Sequence, residues 1–197
     1  MTRYLLLPLV LLLAACGSPA PVPEDHFYRL PEPSAKSQGS SLNAGVILVE
    51  PFRVSGLVRE RPIIFMQTTD SVELERYNYH LWYESPGYML QQHLADFLRL
   101  SGLVDSVTTS RNLPPDIVIS GELYEFMHIR DAEDGGEVIV KLELMLRHRH
   151  DQGMHWQALY SEQEAVDGAD MNAVVAAFGR TLDRIYRDFL ERANGTN

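Results

Sequence analysis

The chain has 197 residues, 45% of them hydrophobic and 22% charged, so one domain with a substantial core is expected. Its formal net charge of −10 argues against nucleic acid as a partner and against a general electrostatic grip on anionic lipid. A single cysteine, Cys16, leaves no intrachain disulfide to staple the fold.

The first residues read as an address. Arg3 supplies a positive start and residues 5–13 form an apolar run, broken only by Pro8, that is too short to cross a bilayer. It ends in Leu13-Ala14-Ala15-Cys16, the aliphatic–small–small–cysteine order of a bacterial lipobox, in which the thiol takes the diacylglycerol. Residues 1–15 are therefore expected to be a lipoprotein signal peptide and Cys16 the lipidation site. Several acyl chains on one cysteine suffice for stable anchoring. Gly17 rather than aspartate follows the cysteine, which in enteric-type bacteria directs a lipoprotein to the outer membrane, facing the periplasm. Residues 16–44 form a lipidated tether of Pro, Ala and Ser, interrupted by the strand-like His26-Phe27-Tyr28-Arg29-Leu30, which predicts a short edge strand stopped by Pro31.

The folded domain is expected over 45–194. Val46-Ile47-Leu48-Val49 predicts a buried strand and Ile63-Ile64-Phe65-Met66 a second, after the loop Arg59-Glu60-Arg61-Pro62. A turn at Thr69-Asp70-Ser71 predicts a hairpin whose second arm runs from Val72 through Leu74 and Arg76. Next comes an aromatic cluster, Tyr79, Trp82 and Tyr83. Ser85 and Pro86 signal a helix start, Leu90, Leu94, Phe97 and Leu98 give one apolar stripe, and Gly102 caps the helix. Leu103, Val104 and Val107 lead into a strand-like run.

Residues 117–129 predict a long strand, with Gly121 marking a bulge or a neighbour's close approach. Asp134-Gly135-Gly136 predicts a hairpin turn, and the alternation of Val138, Val140, Leu142, Leu144 and Leu146 with charged residues a half-buried strand. Trp156 to Gln163 is read as the last strand. Asp170 is an N-cap for a terminal helix with Val174, Phe178, Leu182, Ile185 and Phe189 on one face. The fold class is α/β: a single domain with a mixed β-sheet of about five to six strands packed by two main helices, in two or three layers.

Chemistry is sparse. His148, His150 and His155 flank one turn, but Arg147 and Arg149 would repel a cation there and no HExxH spacing exists, so no metal site is assigned. There is no GxSxG elbow, no SxxK and no phosphate-binding glycine loop. The chain reads as a non-enzyme without a cofactor. Trp82, Tyr83 and Tyr88 either pack the helix onto the sheet or line a partner or lipid contact, and Arg59 and Arg61 form either a solvated loop or an interface rim.

The order of motifs resembles the PqiC-like auxiliary lipoprotein components of ABC-type transporters. Cys16, Tyr28-Arg29-Leu30, the strand from Val46 to Pro51, Arg61-Pro62-Ile63-Ile64-Phe65, then Trp82, Pro86 and the leucine helix, and Ser120-Gly121-Glu122-Leu123 with Phe126, carry the likeness. After Arg61 the chain has Phe65 and Met66 where the family usually has a tyrosine–arginine pair. The resemblance implies an α/β auxiliary domain over 45–194 and a lipid transport system with an inner-membrane ABC permease/ATPase complex and an MCE-domain protein as partners. It also implies no catalytic residues, and a possible homo-oligomer, since some members form rings. A direct lipid-binding carrier in the periplasm is the alternative.

Overall fold

The computed structural model describes residues 23–35, 45–130, 135–149 and 156–194. In chain order the elements are β1 (His26–Tyr28), β2 (Val46–Val49), β3 (Arg53–Val54), a 3-10 turn (Gly56–Arg59), β4 (Pro62–Met66), β5 (Glu75–Trp82) and α1 (Pro86–Ser101). There follow β6 (Ser106–Thr108), β7 (Ile117–Ile129), β8 (Glu137–His148), β9 (Trp156–Ala165) and α2 (Met171–Asn194).

β7 is the axis of one mixed sheet. On one side it pairs antiparallel with β8 along almost its whole length, and β8 pairs in turn with β9. On the other side three short strands meet it in succession, all parallel: β2 at Ile117 to Ile119, β3 at Glu122 and Leu123, and β4 at Met127 to Ile129. A strand of 13 residues spans about 43 Å, so strands of two to five residues can cover it only by dividing it. The sheet therefore forks, β2 leading to β6 and β4 to β5 and β1. The main path β1-β5-β4-β7-β2-β6 runs through six strands, and β3 with the expected strands β8 and β9 brings the mixed sheet to nine among the described residues.

Both helices lie over the same face, which makes the architecture two layers. Leu90, Leu94, Phe97 and Leu98 of α1 and Val174, Phe178, Leu182, Ile185 and Phe189 of α2 share one core with the alternating Val138 to Leu146 set of β8. The opposite face carries a small cluster, Ile64, Met66, Met127, Ile129 and Ile139. Gly121 serves close approach: a Cβ there would sit 2.6 Å from the Phe52 ring. The bulge in β7 falls instead between Leu123 and Glu125.

Several local expectations change. Ser85 offers no side-chain cap; its carbonyl accepts from the Tyr88 and Met89 amides, and the helix start is held from outside by the Phe52 amide donating to the Gly87 carbonyl. Gly102 does cap α1, at φ 65°, and the Asp170 carboxylate accepts from the Ala173 amide at 2.8 Å as an N-cap should. β5 starts at Glu75, not Val72, because Ser71 and Glu73 hydrogen-bond each other locally and withdraw that stretch from the ladder. The strand-like run after Gly102 shrinks to three residues. Residues 130–136 make a longer connection than the tight hairpin expected, with 131–134 outside the described residues.

Candidate functional site

β1 reaches the sheet by pairing parallel with β5, His26 to His80, Phe27 to Leu81 and Tyr28 to Trp82. This joint locates most of the residues singled out from the sequence, and it separates them. Trp82 turns inward, 1% exposed, with its ring 5.2 Å from Phe126 and 5.5 Å from Phe178. It is a core residue, not a contact residue, because β-strand alternation sends neighbours to opposite faces. Its neighbour Tyr83 is 66% exposed. Tyr88 is also exposed, on the first turn of α1. Tyr79 is exposed as well, so the expected aromatic cluster is not a cluster.

Arg61 donates from Nε to the Trp82 carbonyl at 3.0 Å and lays its guanidinium 5.1 Å from the Phe27 ring centroid, while Phe27 itself stays half exposed. Arg59 ends the 3-10 turn and is exposed. Cys16, His150 and His155 lie outside the described residues. His148 ends β8 opposite Ile117. Among the described residues no group of three or more His, Cys, Asp or Glu is placed to hold a metal, and no helix is long and apolar enough to cross a membrane.

Beyond β1 the chain forms a strap, residues 29–33, that passes between the two helices. Pro31 seats against Gly179 of α2 so closely that a Cβ there would lie 2.4 Å from Pro31 Cγ. The Ser34 amide donates to Asp183 Oδ2 at 2.8 Å. Burial raises the Asp183 pKa, against the opposing pull of that amide and of Arg187. Strap, α1 and the start of α2 enclose a groove of about 720 Å³, with Tyr83 on its wall. That volume is in the range of ligand pockets.

The residue that sequence reasoning missed lies in the lining of this groove. His93 is 5% exposed, and neither ring nitrogen has a hydrogen-bond partner of good geometry. Burial pushes its pKa down to about 4, with the Pro31 backbone and Asp96 pulling weakly the other way. The Tyr186 ring packs 5.8 Å away, and its own buried hydroxyl is likewise unpartnered. The signal was present: at three after Leu90 and four before Phe97, His93 occupies the apolar stripe of α1.

A second polar group lies behind β5. The Tyr77 hydroxyl is 2.9 Å from His128 Nδ1, and His128 Nε2 is 2.7 Å from the Gly135 carbonyl. A carbonyl can only accept, so Nε2 carries the proton and Nδ1 accepts from Tyr77. Burial lowers the His128 pKa and favours this neutral form. The Tyr28 hydroxyl and His80 Nδ1, 2.8 Å apart, tie β1 to β5. These contacts complete the joint on which the strap depends.

A sequence profile of the ABC-type transport auxiliary lipoprotein component family matches residues 28–189. Among solved structures, protein XCC0632 from Xanthomonas campestris, of family DUF330, superposes with a TM-score of 0.72 at 18% identity, over 87% of this chain and 96% of that one. An uncharacterised protein superposes at 0.69 with 15% identity, over 86% and 99%. At such identities the likeness shows a common fold. No functionally curated protein matches the chain.

Proposed function

The chain belongs to the ABC-type transport auxiliary lipoprotein component family, and from that premise we propose that it is a non-enzymatic auxiliary subunit of an MCE-type ABC lipid transport system. In this reading residues 1–15 are removed, acyl chains on Cys16 hold the protein at the outer membrane, and residues 16–44 present the 45–194 domain to the periplasm. The domain then captures an MCE-domain protein, whose inner-membrane ABC permease and ATPase drive transport. The observation that carries the proposal is the span of the family match, which runs from the end of β1 to the last turns of α2. The lipobox at Leu13-Ala14-Ala15-Cys16 supports the anchor. Arg59, Arg61, Tyr83 and Tyr88 are exposed and available to a partner, while Trp82 acts by holding the joint that carries Arg61 and Tyr83.

The test is co-purification of the tagged, lipidated protein with its MCE-domain partner from cells that express both. The partner should be retained, and its absence overturns the adaptor reading. Metabolic labelling with palmitate should mark the wild type and not Cys16→Ala. One observation favours the second reading, a direct lipid carrier: the 720 Å³ groove is large enough to take an acyl chain. Native mass spectrometry after mild extraction separates the two, since a carrier retains phospholipid and an adaptor does not.

A further inference from the structure

The groove over His93 has features that folding alone does not require. A buried imidazole whose nitrogens meet only the Pro31 backbone, and in poor hydrogen-bond geometry, is destabilising, and on this face of α1 a leucine would pack without that cost. Such local conflicts are expected where a site serves binding. Resting on the adaptor reading above, we propose that this groove is the docking site for an extended segment of the partner polypeptide, which supplies backbone amides to its polar groups and one apolar side chain to its wall.

The chemistry of the lining selects that occupant. Burial keeps His93 neutral, so its ring offers one N–H donor and one acceptor, the complement of a peptide C=O and N–H. Gln92 and Asn172, also in the lining, carry amides with the same dual character. An acyl chain offers none of the three a hydrogen-bond partner.

Charge points the same way. Arg29 and Arg99 are set against Glu32, Glu84 and Asp96, and Arg99 is already paired with Asp96 at 2.6 Å. A rim of mixed sign, with no cationic excess, gives an anionic headgroup no net attraction and suits a polypeptide of mixed charge. Tyr83 and Leu100, 66% and 48% exposed, stand on the wall as sockets for an apolar side chain. The His93 nitrogens are closed to solvent with the Pro31 backbone beside them, so a docked segment reaches them by parting the strap from α1.

The test places a photocrosslinking benzoylphenylalanine at Tyr83, at Leu100 or, as a control, at Leu159, which is 58% exposed on β9. The full lipidated chain is used in cells that also express the MCE-domain protein. Adducts with that protein, identified by mass, are expected from Tyr83 and Leu100 and at least fivefold fewer from Leu159. His93→Phe should leave the Tm unchanged or raised while cutting the Leu100 adduct at least fivefold. The exposed Gln92→Ala and Asn172→Ala provide the same readout without touching the core, each lowering the adduct at constant Tm. Adducts from Leu159 but not from Tyr83 or Leu100, with co-purification intact, overturn the groove and leave the adaptor reading standing. A phospholipid-mass adduct at Leu100 overturns the polypeptide occupant. Loss of co-purification by the wild type removes both readings together.

Discussion

The half of the molecule where α2 closes over β8 and β9, and the corner where the strap crosses between α1 and α2, treat polar groups in opposite ways. On the far side Arg180 and Arg184 of α2 reach across to Glu162 and Glu164 of β9, with nitrogen–oxygen distances from 2.5 to 3.2 Å. Their charges are compensated and lie at the margin of a dry apolar core. At the strap corner His93 is buried without a hydrogen bond of good geometry, while Tyr83 and Leu100 remain exposed. The first region is arranged for stability. The second keeps unsatisfied groups and open apolar surface at a groove, which is how recognition surfaces differ from cores. The two meet in one packing layer, so perturbing each should produce different readouts.

The largest effect should come from the shared core. Phe178 is fully buried, its ring 4.2 Å from Phe126 and 5.5 Å from Trp82. Phe178→Ala should lower stability by about 3–5 kcal/mol, read from urea unfolding by far-UV circular dichroism. A loss below about 1 kcal/mol would mean that the β7 aromatics and α2 do not form one cooperative core.

The next effect isolates His93 through pH. Its folded pKa, about 4, lies below the ordinary 6.5, so on acidification the unfolded state takes up the proton first. Stability is then full above about pH 6.5 and falls as the pH drops toward 4. Between pH 7.5 and 5 the wild type should lose about 2 kcal/mol more than His93→Phe. His80 and His128, also lowered by burial, act in the same direction in both proteins and cancel in the comparison. Asp183, raised by burial, acts in the opposite direction and nearer its own range, so measurements stop at pH 5. Equal pH slopes for the two proteins would mean that His93 is not neutral and buried in solution.

The strap itself can be loosened from the α2 side. Gly179→Ala puts a methyl where Pro31 now lies, and should cost about 1–3 kcal/mol. Its signature is local: amide hydrogen exchange should accelerate over residues 29–35 and stay unchanged in β8. Uniform acceleration would show that strap and core unfold as one unit, and the contrast between the two regions would lose its energetic meaning.

What the sequence made legible follows from periodicity. The Val138 to Leu146 alternation and the α2 stripe each repeat one rule over many residues, and every one of those positions is buried. The division of β7 among β2, β3 and β4 could not be read, because it depends on pairing between residues distant in sequence. Trp82 and Tyr83 are adjacent aromatics of one chemical class, and the register of β5 together with its end at Trp82 decides which is core. That register is irregular, with a shift between Pro62 and Ile64 against Leu81 and Arg76, which local pattern does not disclose. His93 was visible as a polar residue in an apolar stripe, but its isolation depends on the strap, whose place between the helices is set by Pro31 and Gly179.

The smallest effect tests the well-paired region. Burial alone would raise the Glu164 pKa, but hydrogen bonds from Arg180 and Arg184 outweigh it and the net shift is downward. The arginines are about two-fifths exposed, so solvent screening limits each pair, and Arg184→Ala should cost about 0.2–1 kcal/mol, less in high salt. The same side chains also donate to the Gln163 and Ala165 carbonyls on β9, a strand that among the described residues pairs with β8 alone. Free edge carbonyls are a template for unwanted strand pairing, and charged side chains over them are a known safeguard. Arg180→Ala/Arg184→Ala should therefore barely move the unfolding midpoint while raising concentration-dependent association in sedimentation velocity. A double variant that loses several kcal/mol and stays monodisperse would show that these pairs support the core and do not guard the edge.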